Sequence, residues 1–283
     1  MKKPTAILPE IPPELARRLR HEAREMAMVY LELLRDRFGV AVESAYLKGS
    51  VQKPWDSLID YAPEVSDVDI HVYLTDTRLA AEMLRPDSAL DFSRRAEQMF
   101  SARVPDAIHL PKPQVKFGHE LIGMEGYLPP PSATVELLFG KPQAVAERQE
   151  YRNAGTIDRV RLLEDAGYVL DELPLRMFDR PGHHLWELFP RVFWRVSPTG
   201  PRILSALGYD AWDAWSANRT GVFHLLCQHG QSEIAEAYAG FYLAAWDGYR
   251  SAFSEAAPAY AAIHQVIRMF ELARELFERH GEP

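Results

Sequence analysis

Two aspartates one residue apart, Asp67 and Asp69, stand in SDVDIHVYL at 66–74, a run that otherwise reads as a strand. Side chains at i and i+2 of a strand share a side, which sets the two carboxylates close together. Strands disfavour Asp, and like charges that near need a compensating cation or a held proton. Magnesium takes oxygen ligands and is commonly held by one or two carboxylates plus substrate phosphates. A pair of such ions clamps the attacking and leaving oxygens of a phosphoryl displacement. Upstream, AYLKGS puts Gly49 and Ser50 at the end of another apolar run. Glycine lets a backbone approach phosphates, and a serine hydroxyl or backbone N–H groups can hold them. Strand, Gly-Ser, loop, strand with D-x-D suits metal-assisted phosphoryl or nucleotidyl transfer.

The elements that must position these residues are legible in outline. Residues 13–38 predict a helix: Pro13 suits its first turn, Leu15, Leu19, Ala23, Met26, Tyr30 and Leu33 form one stripe, and Gly39 suits the stop. A strand is expected within 40–50, a loop over 51–65, and the opening strand after it. Helices are expected near 77–85, capped by Thr77, and over 87–104. Residues 108–128 read as strands or loops at an edge, and 133–140 as another short strand. KPQAVAERQEYRN reads as helical, and a short strand is expected around 168–170. No lysine follows Lys141, and beyond about 176 the pattern is helical throughout, with long candidates from Ser232 and from Pro258 to a stop at Gly281. A domain boundary is expected between 170 and 182, giving 1–175 and 176–283.

YLKGS followed by SDVDIHVYL resembles the signature of the polymerase-beta-like nucleotidyltransferase superfamily. The pattern is closest to aminoglycoside nucleotidyltransferases of the streptomycin and kanamycin type. Sixteen residues separate Ser50 from Asp67, longer than usual, so 51–65 reads as an insertion at the rim of the site. The resemblance implies an α+β fold: a small mixed sheet with helices on one face, followed by an all-α helical bundle. It implies that Asp67 and Asp69 bind Mg²⁺, two ions, and that Gly49 and Ser50 hold the phosphates of an NTP co-substrate. It also implies a third carboxylate from a later strand. ELLFG is similar to the stretch around the proposed base in streptomycin-type enzymes, which makes Glu136 the catalytic base, a metal ligand, or both. Asp106, Glu120, Glu125 and Asp165 are rivals in less clean strands.

The implied reaction moves an NMP, AMP foremost, to a hydroxyl of a small acceptor such as an aminoglycoside-like antibiotic, releasing pyrophosphate. The net charge of −8 suits a cationic acceptor and gives no general nucleic-acid footprint. Alternatives are transfer to tRNA or a protein hydroxyl, and a non-catalytic NTP-sensing protein of the same fold. A homodimer stays open. The single cysteine, Cys227, excludes an intramolecular disulfide and a Cys-based zinc site. No run of 18 apolar residues points to a membrane span, and a cytoplasmic protein is expected. His71 shares the aspartates' face without an assigned role, and Lys48 is likewise unassigned. His183, His184 and the Arg219/His224 spacing carry no chemistry on this reading. Arg152, Arg159 and Arg161 either meet the triphosphate or form a solvated helix face.

Overall fold

The computed structural model describes residues 7–122, 124 and 127–279; Glu125 and Gly281 lie outside them. The fold is α+β, and the chain divides into two compact units. One, the sheet unit, comprises Pro12–Pro54 and Ser66–Glu147. The other, the helical unit, comprises the chain through Ile11, Trp55–Val65 and everything from Arg148. The expected boundary between 170 and 182 therefore falls inside the helical unit.

The sheet unit opens with α1 (Pro13–Phe38), which starts on a first-turn proline and ends where Gly39 turns to φ +55°. Then come β1 (Val42–Lys48), a tight 3₁₀ turn at Gly49–Val51 and β2 (Asp67–Leu74). Two helices, α2 (Arg78–Met83) and α3 (Pro86–Arg103), lead to β3 (Lys112–Phe117), α4 (Gly118–Ile122) and β4 (Glu136–Phe139). Thr77 makes no side-chain cap; the neighbouring Asp76 accepts the Arg78 N–H instead. The sheet order is β3-β2-β1-β4, with β1 antiparallel to both neighbours and β3 parallel to β2. One face carries Ala45, Leu47, Val68, Ile70 and Val72, all nearly or wholly buried. The core continues between α1 and α3 through Met26, Val29, Leu33, Ala96, Phe100 and Val104.

The opposite face is less open than the alternation of SDVDIHVYL suggests. Beyond Asp69 it is covered: Ser44, Tyr46, His71 and Tyr73 are all buried. The residues after β3 fold over it. Gly118 lies so close to Tyr73 that a Cβ there would stand 2.1 Å from the ring, and the His119 ring N–H donates to the Leu74 carbonyl at 2.8 Å. The end of the face that carries the aspartates keeps a path to solvent, with the Asp69 side chain 18% exposed.

The helical unit contains α5 (Ala154–Gly167), α6 (Leu173–Phe178), α7 (Phe189–Ala206), α8 (Ala211–Ser216), α9 (Arg219–Gln228), α10 (Ser232–Arg250) and α11 (Ala256–Arg279). Two expected elements differ. Residues 141–153 form no α-helix: Ala146 pairs with Pro131 as an isolated bridge, and Arg148–Tyr151 is one 3₁₀ turn. The strand expected near 168–170 is a π-helical turn, Tyr168–Glu172, which continues α5 and places Tyr168 under the Arg195 guanidinium at 3.6 Å. Half-buried aromatic and β-branched residues mimic a strand there; packing inside a helical layer overrides that local preference.

The segment 55–65 is not an adornment of the sheet unit. Asp60, 1% exposed, accepts from the N–H groups of Asp56 (2.8 Å), Ser57 (3.0 Å) and Thr220 (2.9 Å) and from the Thr220 hydroxyl (2.7 Å). The Trp246 indole N–H donates to the carbonyls of Leu58 and Tyr61. Arg219 donates to the carbonyls of Ile59 and Asp60 and lies over the Tyr242 ring. An irregular segment is thus built into the helical core: its apolar side chains are buried and these backbone groups find partners. Arg219 has a structural role here, and His224 is exposed.

Candidate active site

The sheet brings four of the sequence-selected residues to one end. The antiparallel register of β1 and β2 sets Lys48 opposite Asp69, so the Gly49–Val51 turn leaves β1 beside the start of β2. Gly49 has φ +78°, and a Cβ on it would lie 2.3 Å from Asp69 Oδ2. No side chain fits between turn and carboxylate; only glycine supplies both the left-handed conformation and the room. The turn is anchored from behind by α1. Arg20 donates to the Val51 carbonyl at 3.2 Å and to the Lys53 carbonyl at 2.9 Å. Arg20 is a positioning residue that spacing alone does not reveal, since its partners are backbone oxygens more than thirty residues away.

Asp67 and Asp69 point to the same side, as their spacing requires. Their side chains are 7% and 18% exposed. Each has its own lysine. Lys112 on β3 is in register with Asp67 and brings its ammonium to 2.8 Å from Oδ1. Lys48 brings its ammonium to 3.7 Å from Asp69 Oδ1. Gln114, in register with Asp69, donates to Asp67 Oδ2 at 3.4 Å. The repulsion posed by two neighbouring carboxylates is thus offset by two cations supplied by the flanking strands.

Glu136 is not part of this cluster. Its register partner on β1 is Leu47, whose own partner on β2 is Ile70. Cross-strand partners share a face, and this row belongs to the buried apolar face, not to that of Asp69. Glu136 pairs there with Arg24 of α1, while Arg35 of the same helix covers Phe139 at 4.3 Å. The strand is shorter than expected, and Leu137 is exposed rather than turned to the core; which face Glu136 takes depends on pairing register, and a one-residue slip would reverse it. The three rivals among the described residues do not fill the gap. Asp106 and Glu120 are exposed, and Asp165 is bound by Arg195 and Arg202 in the helical unit. Among the described residues no three His, Cys, Asp or Glu side chains are grouped to hold a metal ion.

The donor set still fits a hard divalent cation of the kind completed by phosphates. It offers two carboxylates on one face, beside a glycine turn with no Cβ in the way. It does not offer an all-protein cage.

His71 lies in the next row inward, opposite Tyr46. Its Nδ1 is hydrogen-bonded to the Tyr46 hydroxyl at 3.0 Å, and that hydroxyl lies 3.4 Å from the hydroxyl of Tyr73. Burial first, and then the charges of Lys48 and Lys116, push the imidazole down to about 3. His71 is therefore a neutral core group under the site, not a reactive one. Tyr46 and Tyr127 are held protonated by burial above all, with neighbouring tyrosines adding to the effect. Arg159 and Arg161 contact Phe277 O and Glu164 within the helical unit.

No family model, curated protein or solved structure matches this chain. No described helix is long and apolar enough to cross a membrane.

Proposed function

We propose that this chain is a polymerase-beta-like nucleotidyltransferase that takes an NTP with Mg²⁺ and moves NMP to a hydroxyl of a small cationic acceptor. The observation that carries the reading is the closure of the Gly49 turn onto Asp69 with Asp67 on the same face. When bound, Mg²⁺ neutralises charge on the phosphates. Asp67 and Asp69 hold and orient it. The Gly49–Ser50 turn presents backbone N–H groups and the Ser50 hydroxyl to the phosphates. Positioning and charge neutralisation supply most of the rate in such transfers. Glu136 is left out of the metal set, and no side chain is assigned the acceptor's proton.

Glu136's place against Arg24 favours a second reading, a non-catalytic NTP sensor built on the same turn. One experiment separates the two. Each NTP is titrated calorimetrically with Mg²⁺, and labelled NTPs are then screened against pooled aminoglycosides and other polyols for pyrophosphate release. Binding with release supports transfer, and binding without release supports sensing. Absence of binding, or an Asp69→Ala variant that binds as the parent does, sinks both.

A further inference from the structure

The strand beside the aspartates carries an unusual complement. On the aspartates' face β3 presents Lys112, Gln114 and Lys116, in register with Asp67, Asp69 and His71. Where a carboxylate would extend the acid pair across the sheet, there is an amide flanked by two amines. The ammonium groups of Lys112 and Lys48 approach different aspartates, from opposite neighbouring strands, at 2.8 and 3.7 Å. The four side chains make two ion pairs side by side at one end of the sheet.

We propose that Lys48 and Lys112 are exchangeable counter-cations. They occupy the carboxylates when the site is empty and move onto the phosphates when a metal–nucleotide complex arrives. The inference rests on the reading that this end of the sheet takes an NTP with Mg²⁺.

The chemistry favours exchange over permanent pairing. A lysine carries a point charge on a flexible stem, suited to re-pairing, and it is a common phosphate ligand. The Lys112 side chain is 39% exposed and that of Lys48 27%, so both heads can reach solvent and a ligand there. A divalent cation entering alone must displace two ammonium groups and leave them beside it, which opposes binding. A metal entering with a triphosphate brings anionic oxygens for the displaced lysines, so both charges stay paired. Metal and nucleotide should therefore bind cooperatively, with the lysines as the source of the coupling.

The test uses the full chain, with Mn²⁺ as a paramagnetic probe of the metal site and ATP as the nucleotide. Free Mn²⁺ is followed by electron spin resonance with and without ATP, and ATP binding by calorimetry with and without metal. In the parent, Mn²⁺ alone should bind weakly and ATP should tighten it. In Lys48→Met/Lys112→Met, Mn²⁺ alone should bind about tenfold tighter, the scale expected for removing neighbouring like charge, while ATP affinity drops by a similar factor. The single variants should each show part of both changes, and Lys112→Arg, which keeps the charge, should lie nearer the parent than Lys112→Met. If the double variant does not fold, the single variants decide. The proposal is overturned if Mn²⁺ affinity without nucleotide is unchanged in the lysine variants, or if metal and ATP binding weaken together. A parent that binds ATP with Mn²⁺ while the variants match it sinks the exchange alone. A parent that binds neither Mn²⁺ nor any NTP sinks the nucleotide reading with it.

Discussion

Gly49 and Asp69 lie so close that an alanine at position 49 would put its Cβ 2.3 Å from Asp69 Oδ2. Turn and carboxylate cannot be varied independently. Gly49→Ala meets two penalties: the φ of +78° is strained for an L side chain, and Asp69 must swing aside. We expect a loss of about 1–3 kcal/mol in stability, by the usual cost of such a backbone conformation. If Asp69 holds the metal as proposed, metal–nucleotide affinity should fall by about tenfold or more, because that carboxylate is displaced. Calorimetry against denaturant melts of the same preparation separates the two effects. Unchanged nucleotide affinity would show that Asp69 is not a ligand.

Glu136 supplies the opposite test. It sits in the Leu47–Ile70 row and pairs with Arg24, so its removal should leave the aspartates' end alone. The Arg24 and Glu136 side chains are 54% and 28% exposed, and a partly exposed ion pair contributes roughly 0–1 kcal/mol. Glu136→Gln should therefore change stability by no more than about 1 kcal/mol and leave metal and nucleotide binding as in the parent. A general base is commonly worth about 10²–10⁴ in rate. A loss of that size in turnover, with binding unchanged, would return Glu136 to the catalytic machinery.

These two residues also show what the sequence makes legible. The DVD pair, the Gly-Ser turn and the boundaries of α1 follow from local rules, namely period-two alternation, glycine at a left-handed turn, and proline and glycine at helix ends. The sheet and the helical character beyond 176 were legible for the same reason. Register was not: whether Glu136 meets Asp69 or Arg24 turns on pairing with a strand some ninety residues earlier. The lysine partners were hidden likewise, since Lys112 reaches Asp67 through a parallel pairing that no spacing encodes. The segment 51–65 reads as a loop at the rim of the site because two prolines break it and it shows no period. Trp55–Val65 joins the helical core by burying Leu58, Ile59, Tyr61, Ala62 and Val65 and by hydrogen bonds to residues 218–246, and neither has a periodic signature.

That set gives a prediction confined to the helical unit. Asp60 accepts four hydrogen bonds while almost fully buried. Asp60→Ala takes this acceptor from the N–H groups of Asp56, Ser57 and Thr220 and leaves the Thr220 hydroxyl with Ser57 Oγ at 2.6 Å. Leaving buried donors unsatisfied in this way costs about 1–3 kcal/mol. All six tryptophans of the chain fall in the helical unit, so indole fluorescence reports on this unit alone. The expected result is an earlier fluorescence transition in denaturant. A parental midpoint would mean that the segment is not held through Asp60.

A pH dependence belongs to the sheet unit. Glu22 of α1 is buried against His109, whose Nδ1 lies 2.5 Å from Oε2, and it accepts the Ile108 N–H at 2.9 Å. Burial works against the charged carboxylate. The hydrogen bonds from His109 and Ile108, with the charge of His109, outweigh it and hold Glu22 below its ordinary 4.5. A group whose folded value is depressed contributes stability that is complete above the unfolded value. That contribution is lost as pH falls through the folded one, because the unfolded chain takes the proton first. Glu22 should therefore add nothing to pH dependence above 4.5 and should weaken the unit progressively below it. Glu22→Gln should cost about 1.5–3 kcal/mol at neutral pH through the lost charge-assisted bonds, and its stability should fall less steeply in acid. Far-UV circular dichroism melts of both proteins from neutral pH downward measure this. Parallel acid limbs for parent and variant would show that the Glu22–His109 pair does not set the acid sensitivity of the sheet unit.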